Sequence, residues 1–334
     1  MPAWPISYQN IAADLVAGVY NDAGQMAGSV YTQAQGSVSK VYVKRAIGDT
    51  RQSVYLGRAD DPATDQKITA IKAASQRAKQ RRKDLRVLAG QGLLATPTLS
   101  GQVIDTIAQH GLFQRGAILI GTLAYQCYPL LLGATLPSTM MATDDADLAA
   151  ANLSLDAADG SDMETILRFA DKSFAGVPGL SSKNPPWKFM AANKYLVELL
   201  TPARGRNDPQ PLELAGLKAG ATTLQHLAWL IDNSVPACLP YATGVAVQVP
   251  RPERYAVHKL IISQKRDDRI KARKDLLQAE ALVAALEERL PGTLGDELED
   301  AAAQGAGWRK PMMASIKAIW PDWKDRPEFE VLLD

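Results

Sequence analysis

Apolar and polar residues alternate with a period of two through much of residues 1–60, which reads as β-strand. The clearest runs are Ser37–Lys44 and Gln52–Leu56, and Gly48-Asp49-Thr50 between them predicts a hairpin loop. The rhythm changes at Thr64. Helical spacing runs from there to Ala89, where Gly90-Gln91-Gly92 ends it, and a second helix spans Ser100–His110. An apolar run, Ile118-Leu119-Ile120, then meets Gly121-Thr122, and a strand follows through Asp145-Ala146-Asp147-Leu148. Further on come a helix over Asp162–Lys172, a Gly/Pro/Ser-rich loop over Gly176–Pro186, and strands over Lys194–Pro202 and Gly244–Val249. Beyond Pro250-Arg251-Pro252 the pattern is helical to the end, clearest over Arg269–Leu290, where Leu276, Leu277, Ala279, Leu282, Ala285, Leu286 and Leu290 share a face.

These elements predict an α/β (α+β) fold, with a mixed sheet flanked by helices. An N-terminal β-hairpin and basic-helix arm occupies residues 1–108, a core 109–262, and a helical C-terminal region 263–334. No internal repeat is visible, and no long low-complexity linker separates the parts. Composition changes this picture little: 46% hydrophobic and 22% charged residues are ordinary for a soluble globular protein. The net charge of +1 identifies no partner, because basic and acidic segments cancel. Residues 116–143 carry no charge over 28 positions, enough to span a membrane. Tyr125, Gln126, Tyr128, Pro129 and several Gly and Thr fit a buried strand, a tight turn and a buried helix better, so no membrane contact is expected. Cys127 and Cys238 do not make a disulfide framework, and the N-terminus lacks the basic and apolar regions of a signal peptide. A reducing, cytoplasmic setting is expected.

Four features carry candidate chemistry. On a strand, Asp145 and Asp147 project to one face, and two adjacent anions repel unless a cation lies between them. A solvated strand end is the alternative. Gly121 at a strand–helix junction lets backbone approach a phosphate, and Thr122 adds a hydroxyl donor. Glu198 interrupts the apolar Tyr195–Leu200 and calls for a partner, a metal or a watery sheet edge. Lys259, in the apolar Tyr255–Ile261, could neutralise a triphosphate, although a snorkelling lysine would look the same.

Together, Gly121-Thr122, Asp145-Ala146-Asp147, Glu198 and Lys259 resemble the polymerase-beta-type nucleotidyltransferase superfamily. Its signature is a hydrophobic strand, Gly-Gly or Gly-Ser, then Asp-x-Asp/Glu, with a third acid on a later strand. The resemblance extends to the bacterial group that includes abortive-infection toxin nucleotidyltransferases, through Thr143–Leu148 and His258-Lys259-Leu260. It spans roughly residues 110–280. Thr122 replaces the usual Gly or Ser, and 22 residues separate it from Asp145, a longer gap than usual that an insertion around Gly133–Met141 would explain. The resemblance implies Mg²⁺- or Mn²⁺-dependent transfer of a nucleotide from an NTP to an acceptor hydroxyl. Asp145, Asp147 and Glu198 would be catalytic and metal-binding, their carboxylates within metal-bridging reach. Gly121, Thr122 and Lys259 would bind nucleotide. A toxin-like member would need a neutralising partner protein.

Eight Lys or Arg within residues 67–86 suggest a helix that tracks RNA, such as a tRNA acceptor, although it has no aromatic residue for base stacking. The alternative function is a catalytically inactive fold that binds nucleic acid or a partner. Other motifs carry less. Gly90-Gln91-Gly92-Leu93-Leu94-Ala95 follows a helix, where a dinucleotide fingerprint would follow a strand. Asp156, Asp159 and Asp162 miss calcium-loop spacing and suit a helix cap better. His110, His226 and His258 are too scattered for zinc.

Overall fold

A computed structural model describes residues 3–48, 50–152, 154–179, 184–203 and 211–333. The first element is a helix, α1 (Ile6–Asn21), in a region whose alternation reads as strand. The spacing of Ala12, Leu15 and Val19 decides the matter. At helical intervals these residues share one face, which is buried with Trp4, Leu88, Leu93 and Leu130. Next comes an antiparallel sheet of three strands in chain order, β1 (Ser29–Gln35), β2 (Val38–Ile47) and β3 (Thr50–Arg58). The expected hairpin is therefore present with one strand more. Asp49, in its expected loop, lies outside the described residues.

The long helix α2 (Pro62–Ala89) starts where Asp61 accepts a hydrogen bond from the Ala63 amide and Pro62 occupies the first turn. Ile68 and Ile71 of α2 pack under the sheet against Val41, Val43 and Leu56. Then α3 (Thr98–Gln109) leads to β4 (Ala117–Ile120) and two short helices, α4 (Gly121–Tyr125) and α5 (Tyr128–Leu132). These helices and a 3-10 turn at Ser138–Met140 fill the long gap before the acid pair. The uncharged stretch is thus a buried strand and buried helical turns. Among the described residues no helix is long and apolar enough to cross a membrane.

The central sheet is built from β4, β5 (Asp145–Ala150), β6 (Ala175–Gly176), β7 (Lys188–Met190), β8 (Leu196–Pro202), β9 (Leu212–Leu214) and β10 (Ala219–Leu224). Its main path runs β4-β5-β8-β10-β9, with β5 and β8 parallel, and with β7 beside the first half of β8. The helix α6 (Met163–Ala170) precedes β6 and is capped by Asp162, which accepts from the Thr165 amide at 2.8 Å. Residues 180–183 of the expected loop lie outside the described residues. After α7 (Leu227–Ile231), a two-stranded ribbon of β11 (Val235–Leu239) and β12 (Val245–Val249) leads into the C-terminal helices. These are α8 (Pro252–Ser263), α9 (Arg269–Arg289), α10 (Thr293–Ala303) and α11 (Ala306–Ile319). Nearly all of α8 is buried, its Glu253, Arg254, His258 and Lys259 included, because it packs against α9, α10 and α11. One continuous apolar core joins sheet and helices. The mixed α/β architecture is the expected one.

Candidate active site

The two parallel strands set the site. Asp145 and Asp147 open β5, two residues apart and therefore on one face. In the β5–β8 register Asp147 lies directly beside Glu198, and directly paired residues of neighbouring strands project to the same side. The row continues on both flanks. Ile120 pairs with Asp147 across β4, and Lys188 with Glu198 across β7. Register has thus brought the three acids predicted from sequence onto one face.

Their side chains are turned to different partners. The Thr143 hydroxyl donates to Asp145 Oδ1, and Lys271 Nζ stands 3.9 Å from Asp145 Oδ2. Lys188 Nζ lies 2.7 Å from Glu198 Oε1. Asp147 is half-buried. Burial, then the nearby Asp145 and Glu198 carboxylates, push its pKa up to about 7, while Lys259 and Arg266 oppose the shift. Among the described residues no three His, Cys, Asp or Glu side chains are arranged to grip a metal ion as they stand. Thr143 and Lys188 each engage one of the three carboxylates that are expected to converge on a metal. The donor set suits a hard divalent cation: all oxygen, crowded, and with one carboxylate driven toward protonation by burial and by its neighbours.

Gly121 sits where β4 turns into α4, with φ +65°, and an added Cβ would collide with Asp147 Oδ2. Only glycine meets both conditions without strain. Its carbonyl accepts a hydrogen bond from the buried Tyr255 hydroxyl at 2.9 Å, tying the turn to α8. Thr122, the next residue, is half-buried.

Lys259 is buried, and its ammonium donates to Asp275 Oδ1. It lies 5.1 Å from the centre of the Tyr255 ring. The second oxygen of Asp275 accepts from Arg266 Nε at 2.8 Å. Burial works against the Asp275 carboxylate, yet Lys259 and Arg266 hold it below the usual range. Arg266 is likewise pushed up by Asp275 and Asp147 despite its own burial. Lys259 is therefore not a free hand for a phosphate, although its charge reaches Asp147.

Sequence reasoning missed several neighbours of the acids. Lys188 pairs with Glu198, and the buried Tyr195 hydroxyl lies near Ser100 and the acids, its pKa pushed up by burial. The largest omission is the start of α9. Its first two turns carry Arg269, Lys271, Arg273 and Lys274, with no acid in the first turn, although Asp268 caps the helix. Cations at a helix N-terminus oppose the macrodipole, so such a cluster is a signal for an external anion. Arg269, Arg273 and Lys274 line an open depression with Thr139 and Met140, next to the loop that enters β5.

A hydrophobic strand ending in Gly-Thr, a strand with two acids one residue apart and a third acid in register beside them define a nucleotidyltransferase-type α/β protein. A family model described as Nucleotidyltransferase matches residues 98–303, more than half of the chain, and the protein belongs to that family. No curated protein and no solved structure matches it.

Proposed function

We propose that the protein moves a nucleoside monophosphate from an NTP to an acceptor hydroxyl, with Mg²⁺ or Mn²⁺ as the required cation. The observation that carries this reading is the in-register placement of Asp147 beside Glu198, with Asp145 on the same face and the cations of α8 and α9 near them.

Asp145 and Asp147 would hold the metal, which when bound would polarise the α-phosphate and acidify the acceptor hydroxyl. Glu198 completes the acid set once Lys188 lets go, and it accepts the hydroxyl proton. The acceptor oxygen forms its bond to the α-phosphorus while the bond from that phosphorus to the bridging oxygen breaks. Pyrophosphate leaves with the electron pair. Gly121 keeps the turn beside Asp147 clear of a side chain, and Thr122 offers a hydroxyl to the phosphates. Lys271, Arg273 and Lys274 balance charge on the departing pyrophosphate, and Lys259 adds its field from its seat on Asp275. Positioning and charge balance supply most of the acceleration in such transfers.

RNA is the acceptor class we favour, drawn by the cations of α2. Some of those cations have internal duties: Arg77 and Arg81 pair with Asp22, and Lys67 donates to the Leu56 carbonyl. Lys72, Lys79, Arg82, Lys83 and Arg86 are exposed.

The test is transfer of label from NTPs to cellular RNA, protein or small molecules with Mg²⁺ or Mn²⁺ present. Incorporation that requires the metal and disappears in Asp145→Ala and Asp147→Ala supports the enzyme. A second reading, an inactive fold used for binding, draws on Lys188 and Lys271, protein cations that already answer two of the acids. Tight RNA binding with no transfer to any acceptor would favour it. A toxin-like role checked by a neutralising partner extends the first reading. In that case induced expression of the native chain slows bacterial growth, and expression of Asp147→Asn does not.

A further inference from the structure

Three tyrosines from three strands form a column on the outer face of the N-terminal sheet. Tyr31 of β1 is in register with Tyr42 of β2, and Tyr42 with Tyr55 of β3. The first pair is stacked, with centroids 5.6 Å apart and planes 19° apart, and the second is tilted, at 5.5 Å and 58°. Period-two alternation puts Val41 and Val43 on the opposite face, against α2, so the tyrosines face away from the core. Tyr31 and Tyr55 are 39% and 50% exposed, and both lie on edge strands, which leaves the column open at its two ends.

The chemistry around the column is one-sided. The strands β1, β2 and β3 contain no Asp or Glu; of their five cations Arg45 shares the opposite face with Val41 and Val43, near Asp105, and the other four are Lys40, Lys44, Arg51 and Arg58. Lys40 and Lys44 flank Tyr42 on its own face, with Gln33 and Ser29 opposite them on β1. Arg58 is paired to Asp60 at 2.8 Å. Arg51 lies at the far end of the hairpin, where it lines a cleft with Leu99 and Gln102 of α3, Arg168 of α6, and Asp171 and Lys172 just after that helix. Next to Leu99 is Ser100, which neighbours Tyr195 and, through it, the acid pair.

We infer that this face is a stacking platform for single-stranded nucleic acid, with bases continuing the tyrosine column at Tyr31 and Tyr55 and phosphates held by Lys40, Lys44 and Arg51. Flat rings open at both ends suit unpaired bases of any sequence, and cations without acids suit a phosphate backbone. A duplex, with its bases stacked on each other, gains nothing from the rings. As an acceptor site the platform rests on the transferase reading, but binding as such does not.

The test is fluorescence anisotropy of the full chain with a labelled single-stranded RNA 12-mer, the same sequence as DNA, and an RNA duplex, all with a chelator present so that no transfer occurs. Tyr31→Ala and Tyr55→Ala are each expected to weaken single-strand binding about tenfold. Tyr31→Phe and Tyr55→Phe are expected to preserve it, and Lys44→Gln to flatten the salt dependence. Equal RNA and DNA binding identifies a backbone-and-stacking mode, and a preference for RNA adds ribose recognition. Unfolding curves of the alanine variants that match the native curve show that lost binding is lost stacking. Single-strand binding unchanged in the double alanine variant, duplex bound as well as single strand, or no binding at all would overturn the inference. A loss of transfer with native binding would instead count against the active-site reading alone.

Discussion

Asp147 lies between two other carboxylates, and burial with their charge raises its pKa to about 7. Sites built for chemistry commonly carry such strain, which relaxes when the strained group is removed. Asp147→Asn is therefore expected to lower nucleotidyl transfer at least about 100-fold, while thermal unfolding of the metal-free variant stays at or above the native temperature. A variant that unfolds well below the native chain would make the acid structural. Gly121→Ala works the other way. The new methyl group meets both a left-handed backbone and the Asp147 carboxylate, so a loss of about 1–2 kcal/mol in chemical denaturation is expected, with transfer falling in parallel. Asp105, on α3, gives a clean pH test. Burial pushes its pKa up to about 6, opposed by its hydrogen bond from Gln109 and by Arg45. Because the folded value lies above the unfolded one, ionisation is disfavoured in the fold. The stability of the protonated form is complete below about pH 4 and is lost as pH rises toward 6. Asp105→Asn should accordingly gain stability relative to the native chain at pH 7 and show little gain at pH 4, read from denaturation midpoints at the two pH values.

Among the elements, α8 gathers the most buried charge. Glu297 of α10 accepts from Arg254 Nε at 2.8 Å and from Arg251, while Arg254 also reaches Asp232 at 3.0 Å. Removing Glu297 takes from the buried Arg254 its best-buried carboxylate partner and leaves it the exposed Asp232. Glu297→Ala is expected to cost about 3–5 kcal/mol, measured by denaturant unfolding. The start of α9 should matter for ligand and not for folding, since its cations oppose the helix dipole. Arg273→Gln is expected to weaken NTP binding several-fold with an unchanged or slightly raised unfolding temperature, read by nucleotide titration. Local pattern made much of this order legible: α2, α3, α9 and the acid-bearing β5 follow from apolar spacing, and period two put Asp145 and Asp147 together. Partners far apart in the chain were not legible. Nothing in Tyr255–Ile261 announces that Lys259 will meet Asp275, and nothing in Leu196–Pro202 announces Lys188, because both meetings depend on how elements pack. The helix α1 differs from its strand-like pattern for a related reason: short apolar runs fit both periods until a neighbour decides which face is buried.

At the scale of the whole molecule, the same dependence on register explains why Tyr31, Tyr42 and Tyr55 look scattered in sequence and form a column in space. The charge of the basic helix α2 is contiguous in sequence, yet three of its cations, Lys67, Arg77 and Arg81, serve the fold. The aromatic surface missing from that helix lies on the sheet above it. The seven-stranded sheet holds the acids, the C-terminal helices bring cations to them, and the N-terminal sheet carries the proposed stacking surface. That division ties the family match over residues 98–303 to a specific account of what the preceding residues add.

The central claim is that Asp145 and Asp147 support transfer of the α-phosphoryl group. Parallel reactions with α-labelled and γ-labelled NTP test it most directly, using native protein, Asp145→Asn and Asp147→Asn with Mg²⁺ or Mn²⁺. The account predicts acceptor-bound label from α-labelled NTP only, released pyrophosphate carrying the γ label, and neither product from the two variants. Acceptor labelled from γ-labelled NTP, or transfer undiminished in either variant, would contradict it.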